Sequence, residues 1–354
     1  LLRHAVLVEE VRHLRTAASH VRAAWLVVAV IIAVVLVSVV TVDLGPLIRH
    51  RAEVEASNFI DRPVHIGRLG LNLGQGKLVV EDLMVEGITS WHDPWLTAKR
   101  VELSLTWRAL LDREVLIDSV EMTDWRLIFE SYWGAQHNWP RLTGPPRPPR
   151  TGPKLLRTTV QYVHAWRGHF IVRDFGSSWG MDAPNLDFVM AKGADYRGAM
   201  RFRGGTILIQ QYEPMWAQFN GWFTVKDGMV HMDRMDLVAD GTTVRGTGTI
   251  DPAQFPNATY QVAAHVMLPR VRALFYAHDT FTLDGEGDFK GTVRQYRGGY
   301  EVKGDFETPL AVYNGYHLEQ FRASMVWVPT RFDVTEARSR FYGGESSFTY
   351  RLDP

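Results

Sequence analysis

From Val64 onward apolar residues recur at every second position. Leu69, Leu71 and Leu73 alternate with Gly70 and Asn72, Gly74-Gln75-Gly76 turns the chain, and Leu78 to Val85 answers it, which is the pattern of a β-hairpin. Similar runs follow at Val101-Leu103-Leu105, Val115-Ile117 and Trp125-Leu127-Phe129, with a short helical turn expected at Trp107 to Leu111. From residue 160 to the end strand follows strand. Turn residues recur about every 8–12 positions, among them Asp227-Gly228, Asp240-Gly241, Asp251-Pro252 and Arg297-Gly298-Gly299. This spacing predicts an antiparallel meander of roughly 18 strands, spanning about 85 Å if laid side by side. The fold class expected is mainly β: a curved or twisted antiparallel sheet with few short helices.

Two helices are predicted in the body. Pro46 to Phe59 begins with Pro in its first turn, shows only weak amphipathicity, and stops at Pro63. Two competing faces are legible, Ile48-Ala52-Glu55-Phe59 and Leu47-Arg51-Val54-Asn58. Leu268 to Tyr276 is the second, again with Pro in its first turn.

One stretch breaks the β pattern altogether. Residues 23–42 read AAWLVVAVIIAVVLVSVVTV without a charge, long enough as a helix for the roughly 30 Å bilayer core. The run ends Val39-Val40-Thr41-Val42-Asp43, with no small-x-small cleavage site, so an uncleaved anchor is expected. Arg3, Arg12, Arg15 and Arg22 precede it against Glu9 and Glu10. The positive flank places the N-terminus in the cytoplasm and the body outside. Arg22, Trp25, Trp91 and Trp95 are the expected membrane-interface side chains. The chain then divides into a cytoplasmic amphipathic segment (1–22), the span (23–42), a membrane-proximal α+β domain (43–142), a Pro-rich linker (143–154) and a β-rich domain (155–354). The linker region carries Arg141, Arg147, Arg150, Lys154 and Arg157 and no acid, which reads either as a solvated loop or as an arm for anionic head groups or an acidic partner. Tyr212, Met215, Trp216 and Phe219 are read as an aromatic loop, either folded over the sheet or exposed as a protein contact.

Composition narrows the function. Lys+Arg 39 balances Asp+Glu 39, which argues against nucleic-acid binding. The absence of cysteine excludes disulfides, thiol catalysis and Cys-ligated metal. No His-Glu-x-x-His, Gly-x-Ser-x-Gly or phosphate-binding Gly-rich motif is present. Gly246-x-Gly248 reads as a strand with close backbone approach. Asp284 to Asp288 resembles a calcium loop but has Phe289 and Gln295 where Gly and Glu belong. His164, His169 and Asp174 are the best acid–base group available, and their spacing is unconvincing. No enzyme activity and no cofactor are expected.

Several phrases together resemble the AsmA-like family of bacterial envelope proteins. They are Arg62-Pro63-Val64-His65-Ile66-Gly67 after the first helix, Gly134 followed by Asn138-Trp139, Gly246-x-Gly248-x-Ile250-Asp251, Gly287-x-Phe289-x-Gly291, and Phe341-Tyr342-Gly343-Gly344. The resemblance spans about residues 20–350. It implies a periplasmic β-structure tethered to the bacterial inner membrane, with a long curved sheet and an apolar concave face. Larger relatives are thought to carry lipids between membranes; about 85 Å of sheet argues against such a bridge here. No catalytic residues come with the resemblance. Membrane lipids and protein partners are the expected contacts. The first functional expectation is a structural or assembly subunit of a larger inner-membrane complex, for example a respiratory or photosynthetic one. The alternative is a lipid-binding or lipid-transfer protein with an apolar β-groove, which requires Arg201, Arg203 and Arg245 to point outward.

Overall fold

The computed structural model describes residues 46–353 apart from 73–76, 90, 106–114, 133–135, 141–157, 177 and 210–211. The cytoplasmic segment, the predicted span, Arg22, Trp25, the turn at 107–111 and the basic linker lie outside the described residues. Among the described residues no helix is long and apolar enough to cross a membrane.

Helix α1 (Pro46–Ile60) precedes four strands, β1 (Val64–Asn72), β2 (Lys77–Val85), β3 (Leu96–Leu105) and β4 (Val115–Ser131). Seven more follow: β5 (Thr158–Asp174), β6 (Trp179–Lys192), β7 (Tyr196–Ile209), β8 (Met215–Lys226), β9 (Met229–Ala239), β10 (Thr242–Ile250) and β11 (Ala258–Met267). Helix α2 (Leu268–Phe275) then leads to β12 (Leu283–Tyr296), β13 (Gly299–Tyr313), β14 (Tyr316–Val328), β15 (Arg331–Phe341) and β16 (Gly344–Leu352). All 16 strands form one sheet in sequence order. Several hairpins close on two-residue turns with positive φ at both positions, as at Asp227-Gly228 (51° and 80°) and Asp240-Gly241 (46° and 85°). That geometry matches the strands' right-handed twist.

The sheet departs from the sequence-based expectation in four respects. It has 16 strands rather than roughly 18, because Val115 to Ser131 is one strand where two runs were expected, and so is Met229 to Ala239. It is not wholly antiparallel: β4 and β5 pair in parallel, from Val115↔Thr158 to Ser131↔Asp174. Residues 132–157 are long enough to return the chain to the starting end of β4, the condition for a parallel neighbour. The ladder is continuous on both sides of the Pro-rich linker. Residues 215–219 belong to β8 rather than to a loop, their alternation being that of a strand. Finally, α1 buries Ile48 and Ala52 of the first predicted face but continues through Ala56 and Ile60 rather than Glu55 and Phe59, an i, i+4 stripe with Ile at its ends and Ala at its centre.

The sheet is rolled. Phe129 on β4 lies 5.3 Å from Phe255 beyond β10, and Tyr212 between β7 and β8 lies 6.4 Å from Trp327 on β14. Gly176, in the β5–β6 turn, faces Gly298 in the β12–β13 turn. Strands six or seven places apart therefore touch through side chains, while β1 and β16 end the order without joining. The result is an open spiral rather than a closed barrel. Its inner face carries the apolar side chains. Helix α1 covers that face over β1–β3, with Ile48 and Ala52 packed among Ile66, Leu78 and Val80. Helix α2 covers it near β12–β14, where Leu268 packs with Phe306 and Ala311 and Phe275 lies edge-on to Trp327.

Helix α1 also caps the outer edge of β1. Ser57 Oγ accepts from the Val64 amide (2.9 Å), Glu53 Oε1 accepts from the Ile66 amide (2.8 Å), and Arg49 Nη1 donates to the Gly67 carbonyl (2.8 Å). A second cap completes β4. Strand β3 begins at Leu96 opposite Leu127, so the end of β4 lacks a neighbour on that side. Asn138 fills the place. Its Nδ2 donates to the Ile128 carbonyl (3.0 Å), its Oδ1 accepts from the Glu130 amide (2.8 Å), and its own amide donates to the Glu130 carbonyl (2.9 Å). Arg62 Nη2 donates to the Asn138 carbonyl (3.2 Å), and Trp139 packs edge-on against Phe129 (5.9 Å). The Arg62-Pro63 and Asn138-Trp139 phrases thus meet in space. Replacing Asn138 by Ala leaves a buried amide and a buried carbonyl unpaired. A loss of about 2–4 kcal/mol in denaturant unfolding is expected, and a loss below ~0.5 kcal/mol would contradict this role.

Candidate functional site

The inner face between the two helices is the candidate site. Along β10, residues 243, 245 and 247 are exposed while 244, 246 and 248 are partly buried; β11 and β12 show the same alternation. The partly buried set on β10–β12 is apolar, and it continues into β5–β9, where inner-face residues such as Val163, Leu186, Met190, Phe202 and Phe223 are buried among one another. One transverse row crosses eight strands in register: Met200, Gly221, Met235, Gly246, Val262, Gly291, Gly304 and Met325. It contains no branched aliphatic except Val262 and no charge.

The glycines of this face are occupied by neighbouring rings. A Cβ on Gly221 would lie 2.7 Å from the Phe219 ring, and one on Gly291 or Gly304 would lie 2.7 Å from the Phe289 ring. The Tyr260 ring covers Gly248, Phe223 covers Gly198, and Phe306 covers Gly287. Rings laid flat on bare backbone give a smooth lining and leave room for the sheet to bend inward. Burial pushes the Tyr260 hydroxyl up to about 12, yet the side chain remains partly exposed.

The outer face is charged and paired. Arg167 makes two hydrogen bonds to Asp124 (2.6 and 2.9 Å), and Arg201 makes two to Asp187 (3.0 and 2.8 Å). Asp236 lies 2.7 Å from Arg234 and 3.7 Å from Arg245. Asp333 is held between Arg331 (2.6 Å) and Arg351 (2.7 Å). Arg201, Arg203 and Arg245 are exposed, whereas their neighbours Phe202 and Val244 turn inward. The groove's requirement on those three arginines is met.

Other sequence-predicted residues are dispersed. Tyr212 lies edge-on to Phe275 (4.8 Å), Met215 pairs with Ile207, Phe219 stacks on Phe202 (5.9 Å), and Trp216 is 46% exposed on the opposite face. They do not form one patch, because strand alternation separates Trp216 from the other members of β8. Trp91 is 94% exposed at a loop tip, but Trp95 is buried and stacked on Phe129 (6.2 Å). Trp95 is therefore a core residue, and its assignment to a membrane interface is corrected. His169 pairs with Asp182 (2.8 Å), while Asp174 accepts from Ser131 (2.7 Å), so the His164–His169–Asp174 group is not assembled. Asp284 to Asp288 lies within β12. The Gly/Met row itself was not read from the sequence; its signal is the Gly-x-Gly spacing at 246 and 248 and the Gly-x-Phe-x-Gly of 287–291.

Compared with known proteins, the chain matches no family model, no curated protein and no solved structure.

The ionisable groups give stability a pH optimum. Hydrogen bonds from Arg100, Arg167 and Arg351 hold Glu102, Asp124 and Asp333 below the ordinary carboxylate range. Their contribution is present above that range and lost as pH falls below it through the lowered values. Hydrogen bonding to Asp288 raises His265 above its ordinary 6.5, so its contribution is full below 6.5 and lost as pH rises through the raised value. Burial lowers His137 below 6.5, so stability falls as pH drops from 6.5 toward the lowered value. Thermal unfolding midpoints measured from about pH 4 to 9 are expected to peak near 6.5. His137→Phe should flatten the acid limb, and His265→Gln should flatten the alkaline limb in a salt-sensitive way. Profiles unchanged by both substitutions would refute the assignment.

Proposed function

We propose that this chain is a non-enzymatic, membrane-anchored protein of the bacterial envelope whose inner β-face binds the acyl chains of lipids, in the manner the AsmA-like resemblance implies. The observation that carries the reading is the segregation of the sheet: one continuous face is apolar and glycine-thinned, and the other carries the charges, many of them in ion pairs. A roll that meets itself after six or seven strands encloses a space about as wide as a small eight-stranded barrel, enough for side chains or one slender ligand. Flat rings and unbranched methionines favour an extended hydrocarbon chain over a bulky ring system, since Met adapts its shape to what lies against it. The predicted span at 23–42 would hold this face beside a membrane, with the body on the periplasmic side. Sixteen strands at about 4.8 Å reach roughly 77 Å if laid flat and less when rolled, which suits local lipid handling.

The assembly-subunit reading retains one supporting observation. Trp91 is 94% exposed, and so large an exposed indole at a loop tip suits a protein contact.

Site-specific photocrosslinking separates the two. A benzophenone side chain placed at Met235 or Phe289 should yield lipid adducts by mass spectrometry at least ~10-fold more often than one at Arg245 or Lys290, because the latter pair face away from the groove. Equal labelling at all four positions, or no lipid at the inner pair, would overturn the groove. Polypeptide adducts confined to Trp91 would favour the subunit reading instead.

A further inference from the structure

Where the roll meets itself, basic side chains gather without a matching acid. Arg62, in the link from α1 to β1, donates through Nη2 to the Asn138 carbonyl (3.2 Å), while its Nη1 is buried with no hydrogen-bond partner. His137 is bridged to Ser131 at the end of β4 and lies flat on Trp139, with ring centroids 3.9 Å apart and planes at 3°. Its Nδ1 is likewise buried without a partner. Arg297 comes from the β12–β13 turn, which the roll sets against the β5–β6 turn through Gly298 and Gly176. It is exposed and enters no ion pair among the described residues. Two buried carboxylates of this end are already engaged. Glu130 accepts from Arg173 and Tyr132 (both 2.8 Å), and Asp174 accepts from Ser131 (2.7 Å) and the Gly176 amide (3.0 Å). Burial lowers Arg62 and outweighs the opposing charge of Asp61. Burial, then the charges of Arg297 and Arg62, lower His137, and no carboxylate among the described residues offsets them.

From this arrangement we propose that Arg62, His137 and Arg297 form a binding site for a tetrahedral oxyanion, namely inorganic phosphate or the phosphate group of a monoester. A planar carboxylate is served by one guanidinium fork, whereas a phosphate presents acceptor oxygens in several directions and takes bonds from separate donors. The three groups come from the α1–β1 link, the segment after β4 and the β12–β13 turn, which only the rolled sheet brings together. Arg62 Nη1 and His137 Nδ1 are already shielded from water, where an unpaired donor is costly and a charge-assisted bond is strongest. Both donors are held in place, Arg62 by the Asn138 carbonyl and His137 by the Trp139 ring, so little side-chain freedom is lost when an anion arrives. Arg62 and His137 are partly buried and Arg297 is exposed, so the anion enters from the Arg297 side. Its charge also offsets the repulsion among the three cationic groups. None of the three belongs to the Gly/Met row, and anion binding here needs no acyl chain in the groove.

Inorganic phosphate titrated calorimetrically into the full-length chain in mild detergent should saturate with a Kd on the order of 1 mM or tighter at low salt. Arg297→Gln and His137→Phe, the second keeping a ring on Trp139, should each weaken binding at least ~10-fold. Arg245→Gln, on the outer face, should change it less than ~2-fold. A purely structural role for Arg297 is excluded if Arg297→Gln melts with the parent in phosphate-free buffer. Added phosphate should then raise the melting midpoint of the parent but not of this variant. A short-chain phosphatidic acid is the second probe. Binding at least ~10-fold tighter than that of inorganic phosphate, and again weakened by Arg297→Gln, identifies a lipid head group as the source; a smaller advantage identifies a free phosphate group. If neither probe binds, or if Arg297→Gln and His137→Phe both stay within ~2-fold of the parent, the proposal is overturned, whatever the photocrosslinks at Met235 and Phe289 show.

Discussion

The whole architecture depends on aromatic rings lying on bare glycine backbone along one face of the sheet. A sheet with large side chains on both faces resists rolling, because the inner side chains crowd as the radius shrinks. Here Phe219, Tyr260, Phe289 and Phe306 fold over Gly221, Gly248, Gly291 and Gly287, so the inner layer is thin where curvature is needed. The same choice sets the chemistry. What remains to line the bend is methionine, phenylalanine and main chain, without charge, while the outer face carries the paired arginines and carboxylates. Curvature and apolarity are thus two results of one pattern, and the groove follows from how the sheet bends.

The join between β4 and β5 shows how the meander survives an insertion. A parallel neighbour normally needs a crossover element, and here residues 132–157 supply the length. The cost is an unmatched end on β4, which Asn138 repairs with both atoms of its amide. The phrases that resemble the AsmA-like pattern near residues 62 and 138 therefore have a mechanical reading. They form opposite halves of one contact, in which the guanidinium of Arg62 reaches the carbonyl of Asn138 and both support the end of a strand.

Much of the body was legible in the sequence. Period-two alternation located most strands, Asp-Gly pairs marked turns, Pro at the first turn opened both helices, and arginines at 201, 203 and 245 fell on the polar parity. What was not legible depends on partners distant in the chain. Val115 to Ser131 reads as two runs because Asp118 and Asp124 interrupt the apolar alternation, yet pairing with β3 and β5 carries the strand through. Trp95 looks like an interfacial aromatic until Phe129 is seen beside it. Tyr212 to Phe219 looks like a loop because Pro214 sits in it, although the strand begins at the next residue. The Gly/Met row was invisible for a different reason: its members belong to eight strands and adjoin only after register is fixed.

The cap on β1 has a consequence for assembly. A polar sidewall of Arg49, Glu53 and Ser57 closes the first part of that border, where it occupies backbone groups of Val64, Ile66 and Gly67. A strand arriving there would have to displace three side chains before it could pair, so this border is guarded where the helix lies along it.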